Sequence, residues 1–359
     1  MTKSATSSAM DLARKDKEKH IVFADFDNTQ LMTKDQKAVR DYNNLSSMLT
    51  LRHLAEEGVI NLVHCTGRVF DQIHRDIQSG TFSDIGFPVA SKTKTIISGV
   101  GTEIYQLNEE GTYIPDTGWE SVLEETGFHE EASKFSVQGT GRVLKEFCEY
   151  IEEILGTNID LRSQEDDKQT RFKKSLWGKP AEGVTEEKIK EAVATALKGI
   201  GADPEKVEIT ASVQTSKIAI DLTPKGPNFK ANKEYACMYL MKKTGVNPEN
   251  TYMTGDSGND SHCINVPDVK IILPANAQAT FVKSVQEAHN ENRVFQSATG
   301  NAASGLIEGL VQSGVIAPKE EQAARRTATI TLSDFQHDLF VKDEGGKPFV
   351  QTEKPFNHS

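Results

Sequence analysis

The chain has 359 residues, 37% of them hydrophobic, a formal net charge of −11 and four cysteines. That length can bury a sizeable core and fits two domains, or one domain carrying an insertion. The acidic balance without any basic block argues against nucleic acid as a partner, and no apolar run approaches the ~18 residues of a membrane-spanning helix.

Residues 1–19 read as a polar arm without the apolar stretch of a secretory leader. Cys65, Cys148, Cys237 and Cys263 are scattered, with no C-x-x-C spacing, so a reducing, cytoplasmic setting is expected. The organising stretch is Ile21-Val-Phe-Ala-Asp-Phe-Asp-Asn-Thr29. Its apolar start reads as a strand covered on both faces. Side chains at i and i+2 of a strand point the same way, so Asp25 and Asp27 can converge at its carboxyl end. Like charges that close raise each other's pKa unless a cation intervenes, and for carboxylates Mg²⁺ is the natural cation. An ordinary turn carries the same residues.

A helix is expected over 43–57 with Gly58 as its stop. A strand over 61–65 empties into Thr66-Gly67-Arg68, a second helix covers 69–78, and 95–105 reads as one or two strands broken by glycines. Strands alternating with helices predict an α/β fold: a doubly wound, Rossmann-like parallel sheet. The pattern then changes. Glu- and Lys-rich residues 116–212 read as an inserted α+β cap with long helices over 130–155 and 186–200 and short strands at 158–162 and 172–177. The core, 20–115, is expected to resume at 213 and run to 317, through a strand at 217–222, a helix at 233–243, strands at 251–254 and 269–273, and a helix at 305–313. Residues 318–359 read as a polar tail with a strand-like patch over 328–332.

In such sheets ligands bind outside the strands' carboxyl ends. Four polar loops leave those ends. Asp25-x-Asp27 is the first. Thr66-Gly67 offers a hydroxyl and a free N–H just before a helix, which suits a phosphate oxygen. Lys233 opens a helix after a Gly/Pro/Asn-rich turn and offsets a phosphate dianion; Lys230 competes with it, but Asn232 makes Lys233 the better placed by capping its helix. Gly255-Asp-Ser-Gly-Asn-Asp260 is an acidic loop that can bring Asp256 and Asp260 to a metal. Taken singly, each also fits an ordinary role: a helix cap, a solvated lysine, a turn.

Together and in this order, the four loops resemble the motif set of the haloacid dehalogenase superfamily of phosphatases over roughly 20–315. The sucrose-phosphate phosphatase branch is resembled most, through Gly101-Thr-Glu-Ile-Tyr105, Gly118-Trp119, Gln169-x-x-x-Lys173-x-Ser175 and Lys233-x-x-Ala236-x-x-Tyr239-Leu240. The resemblance implies a Mg²⁺-dependent phosphatase acting on a sugar phosphate, a small-molecule partner, through an aspartyl-phosphate. Asp25 is then the nucleophile and Asp27 the acid/base. The Asp25 carboxylate, the Asp27 carbonyl and Asp256, supported by Asp260, hold the metal, and Thr66, Gly67 and Lys233 hold phosphoryl oxygens. The cap selects the substrate, with Arg68, Glu103, Gln169 and Lys173 as candidate contacts. A sugar phosphomutase, or a catalytically silent binding module, is possible on the same frame.

Overall fold

The computed structural model describes residues 20–31, 42–79, 93–137, 142–258, 260 and 262–339. The expected arm at 1–19 and the tail beyond Leu339 lie outside the described residues. In chain order the core opens with β1 (Ile21–Ala24), α1 (Tyr42–Glu56), β2 (Asn61–Cys65), α2 (Phe70–Ser79), β3 (Thr95–Ser98), β4 (Glu103–Leu107) and β5 (Tyr113–Pro115). The insert brings α3 (Thr117–Glu124), α4 (Phe128–Ala132), α5 (Lys145–Leu155), β6 (Arg162–Ser163), β7 (Lys174–Gly178), α6 (Glu186–Gly199), β8 (Val207–Val213), β9 (Ile218–Gly226) and β10 (Phe229–Lys230). The core returns with α7 (Lys233–Thr244), β11 (Thr251–Thr254), α8 (His262–Asn265), β12 (Lys270–Leu273), α9 (Ala279–Ala288), β13 (Val294–Gln296), α10 (Ala302–Gln312) and α11 (Pro318–Leu339).

The core sheet runs β13-β12-β11-β1-β2-β3-β4-β5. It is parallel from β13 to β3 and closes with the antiparallel pairs β3–β4 and β4–β5. From β1 the chain steps outward to β2 and β3, then returns to the other side of β1 as β11, so the strand order reverses between these two neighbours. Both faces are buried, as a parallel sheet requires. Ile21 and Phe23 join the cluster containing Leu240 and Met241 of α7, whereas Val22 and Ala24 join Leu51 and Leu54 of α1 and Leu306 of α10. The fold is the expected doubly wound α/β core with an α+β cap.

The second sheet has the order β10-β9-β7-β6, with β8 also on β9, and its pairings are antiparallel. Helices α5 and α6 cover one face, packing Phe147, Ile151, Val193 and Leu197 against Leu176 and Ile220. This overturns one expected boundary. The stretch at 217–222 does not resume the core; it is β9 of the cap sheet, and the insert runs on to Lys230 before α7 returns. Ile218, Ile220 and Leu222 are buried while Ala219 and Asp221 are half-buried. That alternation belongs to an antiparallel sheet with one wet face, unlike the fully buried β1.

Two helices also differ from expectation. The single helix expected over 130–155 is two, α4 and α5; the sequence between them carries Gly139 and Gly141, both poor helix formers. The strand-like patch at 328–332 lies instead within helix α11. Pro318 sits at its start, where a missing N–H is harmless. Ala324 and Ala328, one turn apart, are buried against α1. Helix α9 and strand β13 are not among the expected elements.

Candidate active site

The reversal of strand order puts two acidic loops side by side. Asp25 follows β1 directly, and its N–H donates to the carbonyl of Thr254, the last residue of β11, at 3.1 Å. The Gln30 side chain folds back to donate to the Ala24 and Asp25 carbonyls at 3.0 and 2.9 Å. Asn28 is left-handed at φ 59°, which asparagine tolerates, and its carbonyl accepts from Asn276 Nδ2 at 2.7 Å. The first loop is thus fixed at both ends.

After β11 the chain turns at Gly255 and Asp256, and Asp260 bends back to accept from the Asp256 and Ser257 N–H groups at 3.0 and 3.3 Å. A side chain at Gly255 would put its Cβ 2.4 Å from Asp260 Cβ. Only glycine lets that carboxylate in.

Lys233 enters from α7. Asn232 caps that helix, accepting from the Tyr235 N–H at 3.0 Å. The Lys233 ammonium donates to Asp25 Oδ1 at 2.5 Å and to Asp260 Oδ1 at 2.8 Å. Its competitor Lys230 instead pairs with Glu208 on the cap surface.

Asp25, Asp256 and Asp260 bring carboxylate oxygens within 4.8 Å of one another. They are 4%, 5% and 0% exposed, and Lys233 is 1% exposed. One ammonium faces three buried carboxylates. Burial first, then Asp260, pushes Asp256 up to about 7 and raises Asp25 well above the carboxylate range. For Lys233, burial acts against the ammonium, but Asp25 and Asp260 outweigh it and keep it protonated. The remaining negative charge and the all-oxygen donor set fit a hard divalent cation such as Mg²⁺. The Asp27 carboxylate lies outside this cluster. Arg68 holds it through Nη2–Oδ1 at 2.7 Å and Nε–Oδ2 at 3.3 Å.

Thr66 and Gly67 form the turn that leaves β2 toward α2. Thr66 Oγ1 accepts the Arg68 N–H at 3.1 Å, and the carbonyls of Thr66 and Arg68 accept from Val100 N at 3.1 Å and Gly99 N at 2.7 Å. Opposite, Lys173 just before β7 and Ser175 within it are both buried, and Ser175 pairs in register with Asp221 of β9. Lys173 Nζ donates to the Gly67 carbonyl at 3.2 Å and lies 3.6 Å from Asp221 Oδ1. Ser175 Oγ also donates to Asp221. Cap and core therefore meet on the Thr66–Arg68 turn.

Two expected sugar contacts have other partners. The Gln169 amide donates to the Ser175 and Gln164 carbonyls at 2.9 and 3.2 Å and accepts the Ser175 N–H at 2.7 Å, so it clasps the cap's own chain. Glu103 accepts the Phe70 N–H at 3.0 Å and Ser98 Oγ at 2.9 Å, stapling the start of α2; burial raises its pKa. Asp221 is not among the sequence candidates; its visible signal is an aspartate within the otherwise apolar run Ile218-Ala-Ile-Asp-Leu222.

The comparisons with known proteins agree with this architecture. A tobacco (Nicotiana tabacum) protein, sucrose-phosphatase 2, is 29% identical over 265 residues, covering 71% of this chain and 51% of that one. Mannosylfructose-phosphate phosphatase of Agrobacterium fabrum is 30% identical over 128 residues, 35% of this chain and 48% of that one. The chain thus matches about half the length of each of these two relatives. Among solved structures, the sucrose-phosphatase of Synechocystis in complex with sucrose and phosphate superposes with a TM-score of 0.54 at 20% identity, covering 82% of this chain and 98% of that one. That likeness shows the fold, a parallel α/β core with an inserted cap. The profile of sucrose-6F-phosphate phosphohydrolases matches residues 18–312, most of the chain, and the chain belongs to that family.

Proposed function

We propose that this chain is a Mg²⁺-dependent phosphatase that hydrolyses a sugar phosphate of the sucrose-6-phosphate kind through an aspartyl-phosphate. One observation carries the reading: the Asp25 carboxylate is buried at the strand-order switch point within 2.5 Å of Lys233, with Asp256 and Asp260 beside it. A merely structural ion pair has no need of three carboxylates around one ammonium.

Asp25, Asp256 and the Asp27 carbonyl would hold the Mg²⁺, with Asp260 in support, and the ion would supply positive charge opposite the phosphoryl oxygens. Asp25 attacks phosphorus and the ester P–O bond breaks, splitting one hard displacement into two easier ones. The departing sugar oxygen takes its proton from Asp27. Water then gives a proton to Asp27 as its oxygen displaces Asp25 and releases phosphate. An ammonium has three donors; Lys233 uses two on Asp25 and Asp260, which leaves one for a phosphoryl oxygen, alongside Thr66 and the Gly67 N–H. Lys173, supported by Asp221, approaches the same turn from the cap and is suited to the sugar. The relatives named above act on sucrose phosphate and mannosylfructose phosphate by their names, which supports a phosphorylated sugar here.

The test is phosphate release with Mg²⁺ over a panel of sugar phosphates that includes sucrose-6-phosphate, with Asp25→Asn as the blank. One sugar phosphate should stand well above the rest, and Asp25→Asn should lose at least ~10³-fold in kcat while remaining folded. Release that survives Asp25→Asn would remove the nucleophile assigned here, and a flat profile would turn the reading to a silent binding module.

A further inference from the structure

We propose that Arg68 is a positioning residue for Asp27: its guanidinium holds the acid/base carboxylate in the orientation from which the proton passes to the leaving oxygen. The proposal rests on the phosphatase reading above, and it moves Arg68 from the substrate to the acid/base group.

Three observations support it. First, the contact is a fork on a carboxylate, Nη2 to Oδ1 at 2.7 Å and Nε to Oδ2 at 3.3 Å, which fixes the plane of the Asp27 carboxyl group as well as its position. Second, the guanidinium starts from an immobilised base. The Arg68 N–H is bound to Thr66 Oγ1 and its carbonyl to the Gly99 N–H, and its guanidinium carbon lies 5.9 Å from the centroid of Phe26, the residue between the two aspartates. Third, Asp27 lies outside the buried cluster. Lys233 bonds Asp25 and Asp260 but not Asp27, so among the described residues Arg68 supplies the Asp27 carboxylate's hydrogen bonds. The Asp27 side chain is 39% exposed and that of Arg68 18%. A pair whose carboxylate is this exposed contributes little to stability. Its geometry therefore points to orientation.

The chemistry gives that orientation a use. As Asp25 bonds to phosphorus, the ester bond breaks and its electron pair leaves on the sugar oxygen, which takes the Asp27 proton. The Asp27 carboxylate so formed is the species a guanidinium fork binds best. It stays aimed at the phosphorus, ready to accept the proton of the water that attacks next. A bidentate arginine thus holds the group in one orientation for the return transfer.

The experiment compares the fastest sugar phosphate of the panel with p-nitrophenyl phosphate, whose phenolate leaves without a proton. The constant read is kcat/KM, which reports phosphoryl transfer to Asp25 for both esters. Arg68→Gln should lower kcat/KM for the sugar phosphate by ~10²-fold, within the range of general acid catalysis, and for the aryl ester at least tenfold less. Arg68→Lys, which keeps the charge but not the fork, should recover only part of the loss. In an Asp27→Asn background, Arg68→Gln should add no further loss. Equal losses on both esters would overturn the proposal and place Arg68 on the phosphoryl group. An undiminished sugar-phosphate rate, or a further loss without Asp27, would overturn it too. Should Arg68→Gln melt far below wild type, the Arg68→Lys ratio of the two esters decides in its place. A wild-type chain active on both esters and silenced by Asp25→Asn keeps the phosphatase reading whichever way Arg68 falls; a wild-type chain inert on both overturns reading and proposal together.

Discussion

Asp256 is the least compensated charge at the centre. Burial and then Asp260 push its pKa up to about 7, and no described basic side chain pairs with it directly. A carboxyl whose folded pKa is raised stabilises the fold most when protonated, and loses that contribution as pH rises through the folded value. Metal-free protein should therefore weaken between pH 6.5 and 8. The window stops at 6.5 for a reason. Burial lowers His262 to about 4, so below its unfolded pKa the unfolded chain gains a proton there, which opposes the gain from Asp256. In EDTA the melting temperature should drop from pH 6.5 to 8, by up to ~1.4 kcal/mol per pH unit for each proton lost. Mg²⁺ should restore more at pH 8 than at 6.5, because it replaces the proton. Asp256→Asn without metal should exceed wild type at pH 8 by ~1–3 kcal/mol and respond weakly to Mg²⁺. A thermal melting series over these pH values checks all three; a wild-type melt indifferent to Mg²⁺ at pH 8 would remove the cluster as a metal site.

At the scale of elements, the turn between β3 and β4 aligns the loops assigned to the phosphate. Gly99 and Val100 bond the Thr66–Arg68 turn, while Gly101 lies flat against α7, with a Cβ on it falling 2.2 Å from Asn232 C and 2.5 Å from Lys233 N. Gly101 is also at φ +98°, and the Trp119 indole donates to its carbonyl at 3.2 Å. Gly101→Ala should cost ~2–4 kcal/mol and shift Lys233, lowering kcat/KM by at least ~10²-fold. Gly99→Ala, whose Cβ would meet the Thr102 hydroxyl at 2.6 Å, a side-chain atom rather than backbone, should cost less. Equal behaviour of the two variants in melting and kinetics would deny the turn this role. The contact also marks the limit of sequence reading. The glycine break at 95–105, the strands β1, β2 and β11 and the four polar loops are legible because each is written in adjacent residues. That Gly101 meets Lys233 is not, since the two are far apart in the chain. The partners of Gln169 and Glu103 are hidden for the same reason: the backbone groups they bond appear only in the folded chain.

Across the whole molecule, each layer of the core supports the next toward Asp25. Val22 and Ala24 of β1 rest on Leu51 and Leu54 of α1. Helix α1 in turn rests on α11, through Ala324 and Ala328 and a 3.4 Å contact between Thr331 Oγ1 and His53 Nε2. Helix α11 lies beyond residue 312, where the family profile ends. Among the described residues no helix is long and apolar enough to cross a membrane, and α11 uses its buried face within this core. Its sequence reads as strand-like because Thr327, Thr329, Ile330 and Thr331 are β-branched, yet helix and strand assign the faces differently. In a strand, residues 328 and 330 share a face; in a helix, 324, 328 and 331 do. Ala328 is fully buried and Ile330 is 63% exposed. Ala328→Asp should therefore cost ~2–4 kcal/mol, by forcing a carboxylate between α1 and α11, whereas Ile330→Asp should stay within ~0.5 kcal/mol. Urea unfolding of the two variants checks the pair. Comparable losses in both would restore the strand, while a loss confined to Ala328→Asp means that α11 holds α1 in place behind the catalytic strand.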